Sequence, residues 1–315
     1  METKLVGPRA ASAALAGRSK KRSRTRSVTR RPLSGMLFVA PVAVIVVVLF
    51  LIPVGILVTM SFMDWSLFGS PSPNGIDNYL GIPDNELFMG AIAFTFLYTA
   101  VVTVVSFLVA FGLVAISNSW RRGAKVYRTF YFLPYVVGMA AASLMWFINL
   151  DDLVGVYNAI LMAVGLIDEP VGFLRTPEGA FASTVILVVW KLVGFKILVL
   201  LIGLQAIPED VQEASRLDGA NRWQTLRFIT FPYLRPTLGV LLILSVTNSL
   251  LAFDQFLILT KGGPNNSTVT MVYAIYNTAF ESFDLGRSAA LAIILLIALL
   301  LINGLQVLLL RRDED

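Results

Sequence analysis

Residues 37–60 run for about 24 positions without a charged side chain, long enough to cross the roughly 30 Å hydrocarbon core of a bilayer as a helix. Nothing else in the chain restricts its fold as strongly, because a backbone placed in lipid must satisfy its own hydrogen bonds. Pro41 and Pro53 fall inside the run and need neighbouring helices to take up the carbonyls they free. Five further apolar runs follow, over residues 89–116, 129–149, 180–206, 237–259 and 288–310. Together they predict an all-α, polytopic membrane protein with six transmembrane helices. The first run is too long for a signal-peptide core, and no small-residue cleavage site follows it.

Composition excludes several kinds of chemistry. The chain is 57% hydrophobic and only 14% charged, with a mean hydropathy of +0.76, so its 315 residues allow one membrane domain and little soluble mass. It has no cysteine, hence no disulfide, thiolate nucleophile or sulfur-ligated metal. It has no histidine, the commonest general base and metal ligand. No G-x-x-x-x-G-K-[ST] loop is present to cradle a nucleotide phosphate. The chain is therefore expected to be no enzyme, with no catalytic residue, metal site or cofactor. If transport is driven by ATP, the ATPase is a separate subunit.

The segments between the runs set the orientation. Residues 1–34 hold ten Lys or Arg against one acid, Glu2, with no apolar period. They read as a disordered cytoplasmic arm that touches anionic headgroups rather than nucleic acid. Residues 64–87 carry four acids and no base, whereas Arg121, Arg122, Lys125 and Arg128 follow the second run. Residues 151–178 hold five acids and Arg175; their apolar middle, 154–164, is too short to cross and reads as an interfacial helix. Residues 260–287 contain a Gly-Gly-Pro turn and an amphipathic stretch with Tyr273, Tyr276 and Phe280, placed at the outer interface. One face thus collects twenty Lys or Arg, including Arg311 and Arg312, and the other three. The positive-inside rule puts both termini in the cytoplasm.

The same rule puts the polar stretch 208–232 in the cytoplasm. Pro208, Glu209 and Asp210 read as a helix start, with acids facing the positive end of the dipole. Val211, Ala214 and Leu217 share one side. Asp218-Gly219 stops the helix, and Asn221 with Gln224 resembles a capping box that starts a second one carrying Trp223, Leu226 and Ile229. Pro232 and Pro236 are expected to bend the chain back into lipid. This helix–glycine–helix elbow has a polar outer face and no catalytic group, as a surface gripped by another protein would.

Its spacing resembles a known loop. Glu213-Ala214-Ser215, three residues, Gly219, nine residues and Ile229-x-Phe231-Pro232 are similar to the EAA-x3-G-x9-I-x-L-P pattern of binding-protein-dependent ABC importer permeases. Ser215 stands for the third-position Ala and Phe231 for the Leu. The blocks Gly203-Leu204-Gln205-Ala206-Ile207-Pro208, Phe253-Asp254, Leu259-Thr260-Lys261-Gly262-Gly263-Pro264 and Thr278-Ala279-Phe280 resemble the carbohydrate-uptake members, of the maltose and glycerol-phosphate type. The likeness extends over about residues 35–310.

The resemblance implies a multi-pass permease of the bacterial plasma (inner) membrane. It implies an importer permease-type bundle over residues 35–312 with a cytoplasmic coupling helix. The implied partners are a second homologous permease, an ATPase dimer, an extracytoplasmic solute-binding protein, a sugar or polyol and the lipid bilayer. In the coupling contact it implies an ion pair or hydrogen bond for Glu213, apolar contact for Ala214 and Leu217, and a secondary polar contact for Arg216. Ser215 belongs to the same contact, and Gly219 makes the turn.

Ionisable residues inside the runs are Lys191, Lys196 and Asp254, each costly in lipid. Lys191 and Lys196 are separated by about 140° around a helix, and Lys196, nearer the cytoplasm, is placed to snorkel or to pair with a partner subunit. Asn248 and Gln255 fall seven residues apart, on one face of the fifth run. Asn248, Asp254, Gln255 and Lys191 are therefore candidates for the solute path. Hydrogen bonding between helices explains Asn248 and Gln255 equally simply, and paired or snorkelling charges explain the ionisable residues more simply. Two other classes are weighed against the permease. A self-contained secondary transporter predicts inverted repeats that the chain does not display, and a membrane-embedded enzyme has no His, Cys or intramembrane acidic cluster to work with.

Overall fold

The computed structural model describes residues 32–117 and 124–311, with side chains described over 39–115 and 129–310. Most of the basic arm, and Arg121, Arg122 and Arg312, lie outside the described residues, as do the side chains of Lys125, Arg128 and Arg311.

The chain forms two units, Met1–Pro53 and Val54–Asp315. The first contains α1 (Pro32–Val46), so residues 32–34, assigned to the arm, are already helical, and then a π-helical turn, Val47–Leu51. The boundary falls within α2 (Ile52–Ser61), at Pro53.

The second unit is nearly all helix. A two-residue antiparallel ribbon, β1 (Met63–Asp64) with β2 (Ser72–Pro73), leads to α3 (Asp77–Leu80) and α4 (Glu86–Ser117). Next come α5 (Ala124–Val136), α6 (Met139–Asn149), α7 (Val156–Ala163), α8 (Pro177–Gln205) and α9 (Glu209–Leu217). The chain ends with α10 (Arg222–Thr225), α11 (Phe231–Leu250), α12 (Met271–Phe280) and α13 (Leu285–Arg311).

The bundle is built around α8, which packs against α4, α5, α6 and α11. In its most apolar window 61% is buried, against 39% for Glu86–Ala115 and 6% for Leu285–Leu310, so α8 is the axis and α13 lies at the rim. Val185, Val188 and Val189 of α8 meet Tyr98 and Val102 of α4, and further along Val193, Ile197, Leu200 and Leu201 meet Ala110, Val114 and Leu241. Gly194 permits the tightest approach: a Cβ there would lie 1.8 Å from the Tyr131 carbonyl oxygen of α5. Small residues at such crossings let membrane helices touch through their backbones.

Three expectations need correction. The run 129–149 is not one straight helix; α5 and α6 meet at 99°. Gly138 adopts an extended conformation (φ −59°, ψ 147°), four residues after Pro134, whose missing N–H already weakens that helix. Among the described residues five helices are long and apolar enough to cross a membrane, or six if this bent pair counts as one span. The run 237–259 is broken too: α11 ends at Leu250, and a separate π-helical turn, Phe256–Thr260, follows. The carbonyl freed at Ala252 accepts a hydrogen bond from Thr270 Oγ1 at 2.8 Å, which allows the break inside a buried region. Lastly, Pro232 and Pro236 do not turn the chain. Both lie within one continuous helix, Arg222–Leu250, which a π-helical segment, Leu226–Thr230, carries through from α10.

Candidate functional site

The elbow is a pair of capped helices. At the end of α9, Gly219 takes φ +76°; its N–H bonds to the Arg216 carbonyl at 3.2 Å, and the Ala220 N–H to the Ser215 carbonyl at 3.0 Å. That double bond is a Schellman turn, and it needs the left-handed backbone that glycine adopts without strain. Two residues later Asn221 Oδ1 accepts from the Gln224 N–H at 2.9 Å, while the Asn221 N–H donates to Gln224 Oε1 at 2.8 Å. The capping box read from the sequence is present in full. Buried Ile207 precedes α9 on the inner side.

The six elbow candidates divide by exposure. Glu213, Ala214, Arg216, Leu217 and Gly219 are exposed, Leu217 at 89%. Ser215 is buried at 7%, its Oγ donating to the Gln212 carbonyl at 3.1 Å. Ser215 therefore supports the helix from within and is not part of its outer surface. A small side chain suits that inward position.

The polar residues of the bundle do not form one site. Lys191 is 7% exposed; its Nζ donates to the Tyr135 carbonyl at 3.4 Å and lies 5.4 Å from the centre of the Tyr135 ring, which stacks on Phe195 at 5.0 Å. Lys196 is 4% exposed with its Nζ 5.7 Å from the centre of the Phe107 ring. Neither lysine has a carboxylate within salt-bridge distance among the described residues, and Lys196 does not snorkel; both cations rest on aromatic faces instead.

Asn248 and Gln255 do not share a face, because the chain breaks between them at Leu251. Asn248 and Asp254 are exposed, whereas Gln255 is 4% exposed and hydrogen-bonded to Tyr98. The candidates thus resolve into two outward groups, Asn248 and Asp254, and two that the chain's own packing holds, Lys191 and Gln255.

Sequence reasoning missed two features. One is a row of aromatics: Trp190 of α8, 37% exposed, lies 5.9 Å from Trp146, which lies 5.4 Å from Tyr157. The other is the set of hydroxyls that tie the start of α12 to the bundle. Thr95 Oγ1 accepts from the Met271 N–H at 2.9 Å, and Thr270 Oγ1 accepts from the Tyr273 N–H at 3.2 Å. The four-residue recurrence of Thr95, Thr99 and Thr103 on α4 was the available signal for a polar face turned inward.

Outside the spans, Asp151 caps the turn after α6. Hydrogen bonds from the backbone N–H groups of Val154 and Leu153 hold its carboxyl below the usual aspartate range, helped by the charge of Arg175. Arg175 itself is ion-paired with Asp152.

Comparison with known proteins places this geometry. Residues 111–313 match the family model described as "Binding-protein-dependent transport system inner membrane component". A probable starch degradation products transport system permease protein of Thermoanaerobacterium thermosulfurigenes is 31% identical, over 88% of this chain and 94% of the relative. A multiple sugar-binding transport system permease protein of Streptococcus mutans is 32% identical over 76% of this chain and 82% of the relative. An sn-glycerol-3-phosphate transport system permease protein of Agrobacterium fabrum is 31% identical over 86% and 92%. Among solved structures, a chain of a bacterial ABC transporter involved in the import of the acidic polysaccharide alginate superposes with a TM-score of 0.77 at 24% identity, covering 90% of this chain and 96% of that one. A chain of the alginate transporter in complex with an alginate pentasaccharide-bound periplasmic protein gives 0.76 at 24% identity, covering 90% and 94%.

Proposed function

This chain belongs to the binding-protein-dependent transport system inner membrane components, and from that premise we propose that it is the permease subunit of an ATP-driven importer for a di- or oligosaccharide or a related polyol. Membership makes it a permease rather than an enzyme or a self-contained secondary transporter. The sugar class is taken from relatives whose names specify starch degradation products, multiple sugars and glycerol 3-phosphate.

The observation that carries the mechanism is α9. It is an amphipathic helix that holds Leu217 89% exposed between two long apolar helices. An apolar side chain so far out, beside Glu213 and Arg216, suits a groove on a partner's surface. In this reading α9 docks on an ATPase subunit, Glu213 meets a basic or polar group there, and ATP-driven closure rearranges the bundle. A second permease completes the path, and an external binding protein delivers the sugar.

Six spans follow if α5 and α6 together make one. Both termini and the elbow (208–232) then lie in the cytoplasm, with the basic residues of the N-terminal segment on the same face, and the membrane domain begins within α1 and runs through α13. The solute lane passes exposed Asn248, Asp254 and Trp190, since sugar hydroxyls need polar partners and sugar rings an aromatic face.

The test is co-purification and turnover. The chain expressed with its neighbours should isolate with an ATPase dimer and a second permease, and the reconstituted complex should hydrolyse ATP faster when sugar-loaded binding protein is added. Uptake by this chain alone, without an ATPase, would sink the assignment.

A further inference from the structure

The helix that continues from the elbow carries an alternating stripe. Trp223, Arg227, Phe231 and Arg235 succeed one another at four-residue intervals, aromatic then cationic, along the run from α10 into α11. Residues so spaced stay on one face, and these four line one recess of about 540 Å³ together with Leu226 and Pro232. All four are exposed, Trp223 at 66% and Phe231 at 52%, beside Phe228 at 68%. The Arg227 guanidinium lies 5.8 Å from the centre of the Phe228 ring. Arg222, Arg227 and Arg235 are the only charged side chains from Gly219 to Phe253.

Such a stripe fits neither of the two bulk environments. Arginine in the hydrocarbon core is costly, and a row of open aromatic rings in water is poorly solvated. The boundary between them suits both, because aromatic rings sit at headgroup level and the guanidinium fork matches a phosphate. The stripe also opens the helix Arg222–Leu250, which is long and apolar enough to span, so it lies at the entry of that helix into the membrane. A protein partner fits less well: the face read as docking on the ATPase lies on α9, on the other side of the Gly219 turn.

We propose that this recess binds the phosphate of an anionic phospholipid of the inner leaflet. Arg227 and Arg235 hold the phosphate, and Trp223 and Phe231 pack against the glycerol and upper acyl chain. The proposal rests on the cytoplasmic placement of the elbow given above.

The test uses the complete transporter, permeases with ATPase, stripped of lipid in detergent and offered phosphatidylglycerol or phosphatidylcholine, with retention read by native mass spectrometry. The parent should retain phosphatidylglycerol preferentially. The pair Arg227→Gln with Arg235→Gln should weaken that retention on the order of tenfold or more while the ATPase still co-purifies. A photoreactive phosphatidylglycerol on the parent complex should label residues 223–235, which keeps the test decisive if the double variant fails to assemble. Three results would overturn the proposal: equal retention by parent and variant, displacement of the lipid by millimolar inorganic phosphate, or labelling elsewhere only. Retention of phosphatidylglycerol by the permeases without the ATPase, but not by the complete transporter, would mark the recess as a protein-docking surface and overturn it equally. Failure of the parent chain to capture an ATPase is a separate result that counts against the permease assignment alone.

Discussion

Gln255 donates from Nε2 to the Tyr98 hydroxyl across 3.1 Å, and the two side chains are 4% and 0% exposed. The bond fastens the segment beyond the break in α11 to the middle of α4. Gln255→Leu leaves a buried hydroxyl without its donor, a loss of about 1–3 kcal/mol, whereas adding Tyr98→Phe removes the orphan and should regain most of it. Thermal unfolding of the purified complex distinguishes the two. If the single variant matches the parent in stability and only uptake falls, Gln255 acts on the solute and not on the fold.

Gly194 offers a harsher test of packing. With its Cβ position 1.8 Å from a backbone oxygen of α5, Gly194→Ala forces the two helices apart. Overpacking of this kind costs about 1–3 kcal/mol or more. The expected result is poor assembly and a lowered unfolding temperature. An alanine variant of parental stability would show that α5 and α8 are not held at this distance.

In the elbow, backbone and side chain make separable contributions. Gly219→Ala meets no atom within 4 Å, so its whole cost is the left-handed backbone at φ +76°, roughly 1–2 kcal/mol. Gly219→Asn should cost less, and Gly219→Pro should uncouple uptake from ATP hydrolysis without blocking membrane insertion.

Glu213→Ala probes the contact itself. Removing one member of a partly buried interfacial charge pair costs about 2–5 kcal/mol, while an exposed pair is worth under about 1. ATPase capture and sugar-stimulated turnover should both fall. Parental values for both would remove Glu213 from the contact.

The turn capped by Asp151 should respond to acid in one direction only. Its folded pKa lies below that of the unfolded chain, so the capping contribution is complete above the ordinary aspartate value of about 3.9 and disappears as pH falls through the lowered folded value. Protease nicking at Leu153 should therefore be the same at pH 7 and pH 5. Asp151→Ala should open the site at both. Faster cleavage of the parent at pH 5 would contradict the cap.

The legible features were those set by local chemistry. Pro208, the Asp218-Gly219 stop and the Asn221–Gln224 box each act within four residues, and each appears where the sequence placed it. Helix limits were read well where hydropathy alone decides them, as for α4, α8 and α13. The break after Leu250 was not legible, because Leu251, Ala252 and Phe253 are as apolar as the helix before them. What accommodates the end of α11 is the hydroxyl of Thr270, 18 residues away, which donates to the Ala252 carbonyl. The 99° bend at Gly138 escaped for a related reason: a glycine in an apolar run is compatible with a straight helix or a corner. Of the elbow candidates, all but Ser215 are exposed, because the spacing that places a side chain outward on α9 is itself local. The polar positions of the fifth run could not be sorted into inward and outward sets without knowing that the run is two pieces.

The capping of the elbow on both sides of Gly219 bears on how force travels. α9 is closed by a pair of hydrogen bonds and the next helix opened by another pair, so only Ala220 lies between the two caps, and the chain from Arg222 to Leu250 is continuous helix. At 1.5 Å per residue those 29 residues make a lever arm of about 43 Å, so a tilt of about 5° imposed at the elbow moves the far end by about 4 Å. The far end is the Leu250 break, just before the Ala252 carbonyl that accepts from Thr270 at the start of α12. If α9 is the docking helix proposed above, a partner that rocks Leu217 by a few degrees displaces the Leu250 break by that same distance, far from the surface it touches.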